Sequence, residues 1–428
     1  MKRILSLILG AALVSTALPA RAQTEWLNKL DESLFIQSPG GFFRSDLSGL
    51  LDLEGYYLDQ RPPGLIYGDG DAFFNPRLSL FLDTRLGPHF YSLVQARVDR
   101  GFDPRAARRS ARFDEYLLRY TPFHDARLNL QIGNFATLIG NWVPRHDSWS
   151  NPFITAPVPY ENITTITDHA VPGAPAGFLA RRNVPDIKKS WLPIVWGPSY
   201  AAGVAIFGRL EKFDYAVEIK NASLSSRPTV WDARQLGWEN PTFSGRVGYR
   251  PDAAWNFGSS FSYGAYLVPP AQTLPAFPKG QGLGDFPQTT LAQDVSFAWH
   301  HWQLWAEVFE SRFEVPNVGN ADTVAYYLEA KYKITPRLFG ALRWNQQLFG
   351  QVPDGAGGRQ PWDHDLFASA RENRTANRQN QRFTASHQVL GDVLDDAAQL
   401  VEPKISIPFG RRADANQRHI GVFQCLGA

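Results

Sequence analysis

The chain has 428 residues, 44% of them hydrophobic and 20% charged, a balance that excludes a disordered polymer and leaves room for two or three soluble domains or one large β-barrel. Its formal net charge of +2 falls to about −1 once residues 1–22, which carry Lys2, Arg3 and Arg21 and no acid, are set aside, so nothing in the charge calls for a nucleic-acid partner. The lone cysteine, Cys425, excludes an intrachain disulfide.

In chain order, the first element reads as an export signal. Lys2-Arg3 precedes the apolar run "ILSLILGAALVSTAL", and "ARA" ending at Ala22 is a small-residue cleavage site. Gln23, not a cysteine, follows it, which argues against a lipoprotein. The segment 23–44 is then expected in the periplasm. Trp26, Leu27, Leu30 and Leu34 give residues 25–35 the spacing of a short amphipathic helix. No later apolar run approaches the roughly 20 residues of a transmembrane helix. An exported chain of this kind enters a membrane only as strands, each needing about 9–11 residues.

Period-two alternation begins near residue 46. Residues 46–58 set Leu47, Gly49, Leu51, Leu53, Gly55 and Tyr57 against Ser48, Asp52 and Glu54. The pattern recurs over 77–86, 90–99, 113–120, 127–134, 213–220 and 243–250, and more faintly over 200–208, 255–265, 291–299 and 302–312. It is clearest in 326–344. There Tyr326, Leu328, Ala330, Tyr332 and Ile334 alternate with Tyr327, Glu329, Lys331 and Lys333, and the pattern resumes after Thr335-Pro336-Arg337. This is the signature of half-buried strands, thirteen of which are legible by residue 347.

The connections alternate in length. Short turns fall at Gly87-Pro88, Thr121–Ala126, Arg209–Lys212, Pro251–Ala254, His300-His301 and Thr335–Arg337. Long polar segments occupy 59–74, 101–110, 137–197, 221–240, 266–289, 313–322 and 346–363. One trimmed rim and one looped rim describe an outer-membrane barrel. The expected fold is therefore all-β: a transmembrane antiparallel up-and-down β-barrel over 45–365. In hydrocarbon every backbone N–H and C=O needs a partner within the protein, so strands span only as a closed sheet. One face then meets lipid and must be apolar, while charge is tolerated on the face toward a wet lumen. Tyr57, Tyr120, Tyr249, Tyr326 and Trp344 are placed to sit at the interfaces. A soluble sandwich or propeller also alternates, but neither explains the systematic short and long connections.

In such a barrel the chemistry lies in lumen charges and the constriction. The basic inward candidates are Arg77, Arg85, Arg97, Arg119, Arg127, Arg246 and Arg343. The acidic ones are Asp52, Glu54, Asp83, Asp99, Glu218, Glu307 and Glu329. Residues 85, 97, 119 and 127 on adjacent strands form a basic ladder that favours anions, or else they are solvated arginines paired with neighbouring acids. The long segment 137–197 is the constriction candidate, through Arg145, Asp147, Arg181, Arg182, Lys188 and Lys189, with "WLPIVW" (191–196) as an anchor. It folds inward or stays as an external loop. His124-Asp125 and His300-His301 fall in turns, and His146-Asp147 has no serine partner in any recognisable pattern. There is no H-E-x-x-H, P-loop or G-x-S-x-G, so no enzyme activity, metal or cofactor is expected. The expected partners are outer-membrane lipid and small hydrophilic or anionic solutes.

The stretch "RFDEYLLRYTPFHDARLNLQIGNFATLIGNWVPRHD" (112–147) and the 326–344 hairpin resemble the bacterial outer-membrane porins, specifically the phosphate-selective porin-like family. The resemblance spans 45–365. It implies a sixteen-stranded, homotrimeric, water-filled barrel with an inward-folded third loop. By that reading the protein is a passive diffusion channel for small hydrophilic solutes with a mild anion preference. The alternatives are a barrel enzyme, a surface-binding barrel, or a secreted soluble β-protein. Lys188 and Lys189 match no phosphate-site motif of the family, so phosphate selectivity is not implied.

The tail, 366–428, departs from the pattern. "ASARENRTANRQNQRFTASHQVLGDVLDDAAQL" (368–400) is polar, and its second half reads as helix. The chain ends "FQCLGA" in place of the aromatic terminus usual in such barrels. An even barrel needs one or three further strands here. The sequence favours an altered tail over disguised strands.

Overall fold

The computed structural model describes residues 34–57, 64–66, 72–100, 110–148, 150–184, 187–188, 190–234, 238–335, 338–376, 382–390 and 398–409. The expected signal segment 1–22 lies outside them. Among the described residues no helix is long and apolar enough to cross a membrane.

A short strand, β1 (Phe35–Gln37), pairs with the start of β2 (Phe43–Tyr57), so the end of the expected 25–35 helix is extended, and residues 25–33 lie outside the description. There follow β3 (Ala72–Leu86), β4 (Phe90–Asp99), β5 (Ser110–Tyr120), β6 (Asn129–Phe135), β7 (Ala201–Leu210) and β8 (Phe213–Lys220). Next come β9 (Thr242–Tyr249), β10 (Trp255–Ala265), β11 (Pro287–Trp299), β12 (Trp302–Val315), β13 (Gly319–Thr335) and β14 (Leu338–Phe349). β15 (Gln351–Pro353) and β16 (Arg359–Pro361) form a small separate hairpin. β17 (Leu366–Ala376), β18 (Arg382–Leu390) and β19 (Ala398–Phe409) end the order.

From β2 to β14 each strand pairs antiparallel with the next. β14 then pairs with β17, β17 with β18 and β18 with β19. β19 returns to β2, from Lys404↔Glu54 to Phe409↔Gly49. Among the described residues sixteen strands thus form a ring in which each has two antiparallel neighbours. The ring removes every long edge, which an apolar surround would leave unsatisfied.

Two expectations are corrected. The long connection foreseen at 313–322 is only 316–318, because Arg312–Val315 pair with Gly319–Asp322 and the hairpin simply runs further. The tail, whose second half was foreseen as helix, supplies β17, β18 and β19, so the wall continues past residue 365. Strand pairing uses backbone groups common to every residue, and flanking strands in place hold a weakly alternating segment extended.

The walls alternate with an inverted sense. Leu82, Ile132, Ile206, Val217, Val247, Phe261, Leu291, Leu328 and Leu342 are exposed on the outside, while Asp52, Glu218, Arg246, Glu307 and Arg343 are buried on the inside. Tyr120, Tyr249, Trp255, Trp299, Trp302 and Tyr332 are outward and lie at or near strand ends. Trp344, also outward, sits at mid-strand opposite Leu328, and the side chain of Tyr57 lies outside the description.

The inside is filled by the connection between β6 and β7, residues 136–200. Its described residues include the short helices α1 (Val158–Glu161) and α2 (Pro175–Leu179), each with proline in its first turn, where the missing N–H is no loss. Ile139, Trp142, Val143, Tyr160, Ile194 and Val195 pack against Trp305, Phe309 and Tyr327 of β12 and β13. Nearer the rim with long connections, Trp191, Leu192, Trp196 and Tyr200 meet Trp231, Tyr266, Phe313, Val352 and Trp362. Each large aromatic takes roughly 150–250 Å² out of water, so the connection is held as a packed element.

Candidate functional site

The barrel interior is the candidate site, and its chemistry starts from the strand register. Inward positions carry polar side chains, and the connection from β6 to β7 brings backbone donors that need acceptors. The two match closely. Glu307 on β12 accepts the backbone N–H of Asn141 and, at 3.0 Å, that of Trp142, while the Tyr160 hydroxyl donates to its other oxygen at 2.7 Å. Glu218 on β8 accepts from the Thr137 hydroxyl at 2.6 Å and the Leu138 N–H at 3.2 Å. Glu115 on β5 accepts the Ala136 N–H at 2.9 Å, and Asn345 on β14 accepts that of Val158 at 3.1 Å. On β2, Asp52 takes the Ser148 hydroxyl at 2.7 and 2.8 Å.

Gly140 makes the turn that delivers Asn141 to Glu307. Its φ is +75°, and a Cβ there would stand 2.4 Å from the Tyr160 hydroxyl and 2.6 Å from Glu307 Oε1. Only glycine suits both the backbone and the space.

The arginines named from the sequence are mostly matched to acids. Arg77 on β3 pairs with Glu54 and, at 3.6 Å, with Asp52. Arg97 on β4 meets Asp114 at 3.0 Å. Arg246 on β9 bridges Asp214 at 2.8 Å and Asp294 at 2.7 Å. Arg343 on β14 meets Glu329 at 2.5 Å and donates to the Thr155 carbonyl at 3.0 Å. Arg119 on β5 differs: it donates to Gln131 at 3.0 and 2.7 Å, and Tyr91 and Phe207 lie 5.4 and 5.0 Å from its guanidinium. Arg85, half-buried on β3, sits in register between Arg44 and Tyr91. Arg127 is exposed in the turn before β6, beside Asp125 at 3.4 Å and over the Phe123 ring. The four residues of the supposed ladder therefore occupy four different surroundings. Of the remaining acids, Asp83 accepts the Tyr91 hydroxyl at 2.6 Å, and Asp99 pairs with Arg112.

In the connection itself, Arg145 meets Glu329 at 2.5 Å, lies 4.4 Å over Trp305, and donates to the Tyr327 hydroxyl at 3.1 Å. Asp147 is half-buried and accepts the Ser150 N–H at 3.1 Å. Lys188 donates to the Ile66 carbonyl at 2.8 Å. Lys189 lies outside the described residues. Arg181 donates to the Thr165 carbonyl at 3.1 Å, and Arg182 to Gln360 at 2.7 Å. His146 is held between the Val143 carbonyl and the Tyr200 hydroxyl, both at 2.5 Å, and burial pushes its pKa down to about 4. Glu161 accepts the Ala156 N–H at 2.8 Å, and burial raises its carboxyl to about 7.

Sequence reasoning did not single out Asn141, Tyr160 or Tyr327 as a docking set, although Tyr327 donates to Asn141 at 2.8 Å. The only signal was an isolated polar or aromatic residue on an inward position, which does not name its partner.

No family model matches the chain, and no curated protein matches it either. Solved structures do. One is an anion-selective porin from Comamonas acidovorans, 11% identical, covering 86% of this chain and 100% of that one, with a TM-score of 0.53. Another is OmpF of Salmonella typhi in complex with daunomycin, 10% identical, covering 87% and 100%, at 0.51. A third is the outer membrane channel DcaP of Acinetobacter baumannii, 12% identical, covering 87% and 99%, at 0.50. At these identities the likeness is one of fold: this chain has the antiparallel up-and-down architecture of bacterial outer-membrane porins.

Proposed function

We propose that this chain is a passive diffusion channel of the bacterial outer membrane, a porin-type barrel that admits small hydrophilic solutes. The observation that carries the reading is the inverted polarity of a ring of strands. Neighbouring residues show it directly: Leu342 is 57% exposed on the outside and Arg343 is 1% exposed on the inside. In water this arrangement is unfavourable, since burying apolar surface is worth roughly 25 cal/mol per Å² and here that surface is turned out. In a bilayer the sign reverses, and the charges gain a polar interior.

The short-turn rim faces the periplasm, and the rim carrying 136–200, 221–241, 266–286 and 350–365 faces outward. The similar structures, a porin and an outer membrane channel among them, support this reading. The kinship to the phosphate-selective porin-like family and the homotrimer it implies are parts of the same proposal, the second tested by crosslinking in native membranes. A catalytic role for His146 is not part of it, because both ring nitrogens are engaged within the protein. Fractionation and planar-bilayer recording test the proposal. It requires outer-membrane partitioning, heat-modifiable gel migration and discrete conductance. A chain monodisperse in detergent-free buffer would end it.

A further inference from the structure

On β8 and β11–β14, Glu218, Gln288, Glu307, Glu329, Asn345 and Gln347 all bond to the folded connections. Together with the packing of Trp142, Tyr160 and Ile194 on β12 and β13, this closes that half of the lumen. On β2–β4, Asp52, which also accepts from Ser148 of the connection, lines with Glu54, Arg77, Arg97 and Asp99 a cavity of about 120 Å³, whose opposite side is the connection, including Asp147 and Glu161. A space of ~10–15 Å³ on this measure admits one water, so the cavity holds a hydrated ion or a very small solute.

We infer that permeation is confined to this slot between β2–β4 and the folded connection, and that it passes small cations and ammonium-bearing solutes in preference to anions. The inference rests on the channel reading above and adds both the route and the sign.

The sign follows from the lining, where Asp52, Glu54, Asp99, Asp147 and Glu161 outnumber Arg77 and Arg97. The next layer does not reverse it. Asp114 behind Arg97 and Arg112 behind Asp99 add one charge of each sign. Lys188, near Glu161, offsets one carboxylate, and the Arg145–Glu329–Arg343 cluster offsets one more. At pH 8 His146, also lining, is neutral, and Glu161, raised to about 7, is mostly ionised. An excess of about one negative charge roughly 8 Å from a permeating ion, screened by about 0.1 M salt and in mostly aqueous surroundings, favours cations over anions about two- to five-fold.

The test uses the full-length chain in planar bilayers at pH 8 under a KCl gradient. The reversal potential is expected on the cation side, moving toward zero in Asp147→Asn. The route is tested in a Cys425→Ser background with the trimethylammonium-ethyl and sulfonatoethyl methanethiosulfonates. Asn75→Cys, which lines the cavity, is expected to react and lose current, faster with the cationic reagent. Thr290→Cys, buried on β11, is expected to keep its current. Chloride preference, or block at Thr290→Cys without block at Asn75→Cys, overturns the inference and leaves the channel reading standing. No current at all from a folded, heat-modifiable chain overturns the channel reading and the inference with it.

Discussion

Replacing Glu307 by alanine is expected to undock the connection that fills the barrel. The carboxylate serves three donors at once: the N–H groups of Asn141 and Trp142 and the hydroxyl of Tyr160. Each buried donor left without an acceptor costs about 1–3 kcal/mol. Water entering the vacated space recovers part of that, so a net loss of roughly 3–5 kcal/mol in docking is expected. Even 3 kcal/mol lowers the docked-to-undocked ratio by more than about a hundredfold. Single-channel recording reads the effect as a larger or noisier conductance, and limited proteolysis reads it as new cleavage within 137–197. Glu307→Gln, which keeps an acceptor for Asn141 and Trp142, is expected to fall between alanine and the parent. Parent-like conductance and protease resistance in Glu307→Ala would refute the reasoning, because the three bonds would then carry no docking energy.

Other outcomes follow from the same geometry. Gly140→Val forces a side chain onto the Tyr160 hydroxyl and Glu307, and proteolysis should show it undocking the connection as Glu307→Ala does. Two loop groups give opposite pH slopes. Glu161, raised to about 7, favours the docked state at low pH and loses that contribution as pH climbs from its unfolded value of about 4.3 through 7. His146, lowered to about 4, contributes above its unfolded value of about 6.5 and loses that as pH falls toward 4. Protease resistance should therefore drop on acidification in Glu161→Gln and rise in His146→Gln; flat profiles in both would contradict the assignment. Arg246→Met takes the arginine from Asp294 and leaves Asp214 with Arg250 alone, and breaking a buried pair this way costs about 3–5 kcal/mol, read as a lower temperature in the heat-modifiability assay. Leu342→Arg on the outward face should cost about 2–4 kcal/mol if that position lies near the bilayer midplane, whereas Arg127→Ala in its exposed turn should cost under about 0.5 kcal/mol.

Legibility in the sequence followed how local each cause is. β4, β8 and β10 were read with their observed boundaries, since alternation between lipid and lumen is written residue by residue. β17–β19 were not, because their extended state depends on neighbours at both ends of the chain, β14 and β2. The apolar run "WLPIVW" pointed to an anchor, and Trp191, Leu192 and Trp196 are indeed buried. What the connection docks against was invisible, because Glu307 lies more than 160 residues beyond Asn141 and Trp142. The arginines were recognisable as inward residues, yet their charge balance was not. Asp114 and Asp294 complete their pairs from other strands, and a period of two says nothing about which acid lands opposite. Arg127 was misplaced by the same logic: its alternating neighbours resemble strand, but β6 starts two residues later.

The most direct measurement compares spin labels at Ala341→Cys and Leu342→Cys in lipid bilayers, in a Cys425→Ser background. These adjacent positions on β14 are 6% and 57% exposed. The label at 342 is expected to collide freely with oxygen dissolved in the acyl chains and to be shielded from a polar nickel chelate, with the label at 341 shielded from both. Equal nickel accessibility at both positions, or oxygen contact at 341 in place of 342, would contradict a wall with lipid on its apolar face.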